Sequence, residues 1–178
     1  NEKQISTILA SSGAEVGIAV DSIFAHADTL NDFVRKTEFS SQNIASMLRG
    51  NRGEIGVMII DLNNHIKDLN SFVKNSAFAP SNVSSMLGGA QGNLCEAIQS
   101  LLQHAEQVNS FINNSSFEAS NISRMLSGAG GDMAEAIKSL ARAEEPLRKF
   151  IDGGEFSSSN VSNMLGGARK NINIAIKA

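Results

Sequence analysis

The chain has little of what most functional classes require. Its 178 residues carry a net charge of −3 with both signs interspersed, so charge alone does not point to nucleic acid as the partner. No apolar run approaches the roughly 18 residues of a membrane span, and no secretory leader is visible. The single cysteine, Cys95, cannot form an internal disulfide, and a reducing compartment suits it. No nucleophile, base and orienting group share a motif; no phosphate-binding Gly-Lys loop and no His/Cys/Asp cluster at metal-ligand spacing occurs. No catalytic residue, metal or cofactor is therefore expected, and the chain does not read as an enzyme. Nor is there any strand-like alternation of apolar and polar residues.

What is present is repetition. Phe39, Phe78, Phe117 and Phe156 stand 39 residues apart. Each is followed at fixed offsets by Asn43-Ile44, Asn82-Val83, Asn121-Ile122 or Asn160-Val161. Met47-Leu48, Met86-Leu87, Met125-Leu126 and Met164-Leu165 come next, then Gly50, Gly89, Gly128 and Gly167. A period of this length marks an array of one supersecondary unit that buries its apolar face against its neighbours. The chain reads as one array: a partial unit over 1–38, full units over 39–77, 78–116 and 117–155, and a partial unit over 156–178. Both ends fall inside a unit, so a segment of a longer protein is expected.

Within each unit the apolar spacing predicts two helices. In the first, Val83, Met86 and Leu87 fall at i, i+3 and i+4 on one face. Pro80 occupies its first position, where Ser40 and Ser157 precede the corresponding helices as caps. Gly88-Gly89-Ala90-Gln91-Gly92 ends it, glycine relieving a left-handed cap. The second, longer helix carries Ile59/Ile98/Ile137, Leu62/Leu101/Leu140, Leu69/Val108/Leu147, Phe72/Phe111/Phe150 and Val73/Ile112/Ile151. Pro146 should bend or split it in one unit only. Eight of the nine phenylalanines lie in two columns and read as glue between units. The expected fold is all-α, a superhelical solenoid of helical hairpins.

Function should sit on what varies or on what is chemically unusual. The Asn43/Asn82/Asn121/Asn160 column reads chiefly as a means of satisfying backbone groups between repeats, with contact to a ligand backbone as the alternative. His26, His65 and His104 form a column closed by Ala143. Histidine is a common ligand, but these belong to separate helices with no companion ligand, so a solvated or inter-unit ladder is the better reading. Met47, Met86, Met125 and Met164 read as core filling. Cys95 shares a column with Gly17, Gly56 and Ala134 and reads as a small residue at a tight contact. The turn between the two helices changes from unit to unit: Ser12-Gly13, Asn51-Arg52, Ala90-Gln91, Ala129-Gly130 and Ala168-Arg169. A variable pair on a constant frame is how a modular reader would be built, although turns also tolerate substitution simply because little packs there.

Phe117-x-x-x-Asn121-Ile122-x-x-Met125-Leu126-Ser127-Gly128-Ala129-Gly130-Gly131, followed by Ala136-Ile137, resembles the repeats of TAL-effector-like DNA-binding proteins. The likeness is strongest to divergent bacterial relatives whose repeats open with Phe-Ser, and Glu145-Pro146-Leu147 resembles that family's proline-kinked second helix. The resemblance implies two-helix repeats wound into a right-handed superhelix along the DNA major groove, each reading one base through its inter-helix turn. By position the pair falls on Gly50-Asn51, Gly89-Ala90, Gly128-Ala129 and Gly167-Ala168. Because the turn is about one residue shorter here, the reader alternatively falls on Arg52, Gln91, Gly130 or Arg169. The resemblance further implies an approach to phosphate at Gly50, Gly53, Gly89, Gly92, Asn93, Gly128, Gly131, Gly167, Lys170 and Asn171. The units are longer than the family's, and Glu54, Asn93, Asp132 and Asn171 replace its usual Lys/Gln after the glycines.

Double-stranded DNA is thus the first partner expected, with Arg52 and Arg169 suited to guanine and Gln91 to adenine. Ala129-Gly130 should be permissive or favour a thymine methyl. A protein-binding α-solenoid of HEAT type, whose units have similar length, is the alternative. A monomer with no membrane partner is expected. Its location would be cytoplasmic or, if the resemblance extends to secreted effectors, a host nucleus.

Overall fold

A computed structural model describes residues 2–9, 16–49, 55–113, 116–154, 156–168 and 174–175. Among the described residues there are helices and no strands. The partial first unit contributes α1 (Glu2–Leu9), α2 (Val16–Ala25) and α3 (Ala27–Lys36). The next contributes α4 (Ser41–Leu48), α5 (Ile55–Asn64) and α6 (Ile66–Asn75). Then follow α7 (Pro80–Gly88), α8 (Leu94–Gln103) and α9 (Ala105–Asn113). The last complete set is α10 (Ala119–Ser127), α11 (Met133–Arg142) and α12 (Glu144–Asp152), with α13 (Ser158–Gly167) after it.

Each unit's first helix starts where the constant asparagine can close its N-terminus. The Ser40, Ala79 and Glu118 backbone N–H groups donate to Oδ1 of Asn43, Asn82 and Asn121 at 2.9, 3.0 and 2.9 Å. Ser40 Oγ accepts in turn from the Asn43 N–H, giving one helix a reciprocal box. The asparagines therefore act mainly inside their own unit. Asn43 also reaches across, its Nδ2 donating to Ser84 Oγ at 3.2 Å.

The expected single second helix is not what forms: each of the first four units has three helices among the described residues. The chain bends at His26, His65, His104 and Ala143, where φ lies between −112° and −98° and ψ between 10° and 20°. The ladder bonds at the bend survive. His65 N–H donates to the Asp61 carbonyl and Leu69 N–H to that of His65, at 3.2 and 2.9 Å. Pro146 is not the cause, because the histidine units bend at the equivalent residue. It sits third in α12, where a backbone N–H lacks an intrahelical partner in any case. Packing gives the bend its purpose: it lays α3 on α5, α6 on α8 and α9 on α11, each third helix over the next unit's second helix.

First helices pack in sequence, α1 on α4, α4 on α7, α7 on α10 and α10 on α13, and second helices do likewise from α2 to α11. The core runs between these layers. Met47, Met86 and Met125 are fully buried in it. Each of these third helices carries, toward its end, a phenylalanine that meets the one opening the next unit: Phe33–Phe39, Phe72–Phe78 and Phe111–Phe117, with centroids 5.7, 5.5 and 4.9 Å apart. These six are at most 7 % exposed, whereas Phe150 and Phe156, at the last described junction between units, are 49 % and 47 % exposed.

Candidate functional site: the turn edge and the first-helix face

Two of the inter-helix turns are described, those after α7 and α10. Ser12, Gly13, Asn51, Arg52, Arg169, Gly50, Gly53, Lys170 and Asn171 lie outside the described residues.

Within the described turns the two candidate positions have different environments. Ala90 and Ala129 are buried, 0 % and 1 % exposed, and belong to the core. Each is closed in by the backbone: Ala90 N–H donates to the Leu87 carbonyl, and Asn93 N–H donates to that of Ala90. Neither methyl group is available to a ligand, which removes the register that made them the readers. The next residue forms the tip. Gln91 is exposed at φ 47° and Gly130 has φ 61°. The two tips are neighbours, with Gln91 Nε2 3.9 Å from where a Cβ on Gly130 would stand.

The constant glycine does not provide a left-handed cap. Gly89 and Gly128 have φ of −78° and −74°, ordinary helical values. Their constraint is space: a Cβ on Gly89 would lie 2.3 Å from the Ser127 carbonyl oxygen, and one on Gly128 would lie 2.2 Å from that of Gly166. Gly88 is held likewise, 2.3 Å from the Ser46 carbonyl oxygen. Close backbone approach is thus used between units. Among the described residues no atom lies within 4 Å of the Gly167 Cβ position, and Ala168 is partly buried against the core.

The other residues expected near phosphate are placed unevenly. Gly92 and Gly131 are exposed. Asn93, at the start of α8, donates its side-chain amide to the Gly131 carbonyl of the next turn at 2.8 Å, so it links turns. Asp132 puts an acid at the start of α11.

The larger feature lies beside the turns. Helices α4, α7, α10 and α13 contain none of the chain's 18 acidic residues. Their outward columns, at i, i+4 and i+7, read Gln42/Ser81/Ser120/Ser159, Ser46/Ser85/Arg124/Asn163 and Arg49/Gly88/Ser127/Gly166. These twelve positions hold two cations and no carboxylate on a chain of net charge −3, and the one acid that reaches them is Glu118, whose Oε2 accepts from Ser120 Oγ at 3.3 Å. A groove of 490 Å³ runs across α4, α7 and the start of the turns, lined by Gln42, Ser46, Arg49, Ser81, Ser85 and Gln91 among others. This face escaped the sequence reading although its columns repeat, because small polar residues on a helix exterior look like ordinary solvated surface.

Two further inter-unit ties also escaped it. Asn70 and Asn109 accept from the Glu38 and Ala77 backbone N–H groups at 3.0 and 2.9 Å. Ser123 Oγ donates to the Asn82 carbonyl at 2.8 Å. Their 39-residue spacing was the available signal.

His26, His65 and His104 stand at the helix bends, His26 and His65 without capping through their side chains, and among the described residues no three His, Cys, Asp or Glu side chains gather to hold a metal. Burial, then the Asp61 and Glu96 carboxylates, push the Cys95 thiol up, away from the thiolate form. Among the described residues no helix is long and apolar enough to cross a membrane. No family model matches the sequence, and no match was found among curated proteins or solved structures.

Proposed function

We propose that the chain is a TAL-effector-like, double-stranded DNA-binding array. In this reading the units continue as a right-handed solenoid that follows the major groove, and the turn of each unit meets one base. The observation that carries it is the set of outward columns on α4, α7, α10 and α13, which hold Arg49 and Arg124 and no carboxylate, with the exposed tip Gln91 and the half-buried tip Gly130 at their edge. A phosphodiester duplex repels carboxylates and rewards cations and hydrogen-bond donors. The tips move the reading position one residue on from the family's register, to the column of Arg52, Gln91, Gly130 and Arg169.

The test is a titration of duplex DNA at several salt concentrations. Binding should weaken with salt along a straight log–log line of negative slope. Gln91→Ala should then relax preference at one base pair by about 1–3 kcal/mol, since a glutamine amide can pair twice with adenine. A uniform loss over all sequences would make Gln91 a mere backbone contact.

A second reading has its own observation. Ile18 on α2 and Val57 and Ile60 on α5 are exposed side by side on the second helices, at 58 %, 59 % and 47 %. Such a patch suits a protein partner. Absence of duplex binding even at low salt would favour this protein-binding solenoid.

A further inference from the structure

We infer that the phosphates of the bound duplex are held by the outward face of the first helices, with Arg49 and Arg124 as the charged contacts, and not by the starts of the second helices. This rests on the DNA-binding reading just given and assigns the contacts within it.

Three observations lead there. The second-helix starts are unsuited to an anion where they are described: Asn93 spends its amide on the Gly131 carbonyl, and Asp132 is an acid. The first-helix face, by contrast, offers donors without carboxylates: Gln42, Ser46, Ser81 and Ser85 line the groove beside Arg49. Its floor is backbone brought close by Gly88, whose missing Cβ lets α7 approach the Ser46 carbonyl.

The third observation is how the cations are used. Lys36, Lys74, Lys138, Arg148 and Lys149, on the second and third helices, are each matched to a carboxylate, while Arg35, Lys67 and Arg142 on those helices form no ion pair among the described residues. Arg49 and Arg124 form no ion pair among the described residues. Arg124 makes one bond, Nη1 donating to Asn163 Oδ1 of the neighbouring unit at 3.2 Å. That bond leaves the guanidinium charge uncompensated and aligns it along the column. A guanidinium so placed can present two parallel N–H groups to phosphate oxygens.

The experiment measures salt slopes for duplex binding by the 178-residue chain, with helicity followed by circular dichroism. Arg49→Gln and Arg124→Gln should each reduce the magnitude of the slope by about 1 and weaken all sequences alike. Ser85→Arg, in the same column as Arg124, should steepen it by a similar amount. Arg142→Gln, on α11, should leave it unchanged. Duplex binding whose slope is the same in the double arginine variant and in Ser85→Arg would overturn this assignment while leaving the DNA-binding reading intact. No salt-dependent binding by the parent chain would overturn both.

Discussion

A Cβ on Gly89 has no room: the Ser127 carbonyl oxygen occupies its position at 2.3 Å, and both partners are backbone. Substitution must therefore move α7 away from α10. Gly89→Ala is expected to destabilise the chain by about 1–3 kcal/mol, the usual cost of overpacking a filled interior. Gly167→Ala, in the same column with nothing within 4 Å among the described residues, should be near neutral. Chemical denaturation of the two variants checks this, and equal midpoints would show that the column is not fixed by inter-unit contact. Sequence alone exposed this column but not its reason. Repetition shows that a position is constrained, whereas the constraining atom belongs to a residue 38 positions away. The tip was harder still to read. Gln91 takes a left-handed φ that its residue type does not advertise, while its neighbour Ala90 looks like turn and is core.

At the scale of elements, what the sequence made legible was helix type and the inward face. Most residues at three- and four-residue spacing are found buried, Phe150 and Met164 being exposed exceptions, and the asparagine and serine starts are where α4 and α13 begin. The third helix was hidden because a bend that keeps its flanking hydrogen bonds leaves the apolar period nearly undisturbed. Proline drew attention to one unit, yet the bend is set by packing and shared by all. α12 offers a test of local electrostatics. Hydrogen bonds from Lys149 and Arg148, then their charges, hold the Glu145 carboxyl below its ordinary 4.5. A depressed carboxylate stabilises the folded helix above its ordinary value, and the contribution fades as pH falls through the lower, folded value. α12 should therefore lose order on acidification from pH 4.5 downward, followed by backbone chemical shifts. Glu145→Gln should flatten that dependence, and added salt should weaken it, since the group is exposed. An unchanged acid profile in the variant would mean that the helix end responds to something else.

For the molecule as a whole, stability should be distributed as contacts between neighbours, because each unit's core is completed by the next. Phe111 and Phe117 stand at one such junction, 4.9 Å apart and almost fully buried. The equivalent Phe150 and Phe156 form a stacked pair at 5.6 Å that is about half exposed. The same substitution should thus differ by position. Phe111→Ala removes an aromatic ring from a packed interior, at a cost of about 3–5 kcal/mol. In a chain whose units communicate only through neighbours, a loss at one junction uncouples what lies on either side. Its denaturant transition should come earlier and be broader than the parent's, with far-ultraviolet circular dichroism and a fluorescent probe placed on α5 no longer coinciding. Phe150→Ala gives up less buried surface and should shift the midpoint far less, without separating the two probes. If Phe111→Ala instead unfolds as late and as sharply as the parent, the phenylalanine columns are not what couples the units. Cohesion would then have to come from the close-packed first helices and the asparagine and serine bonds that cross between them.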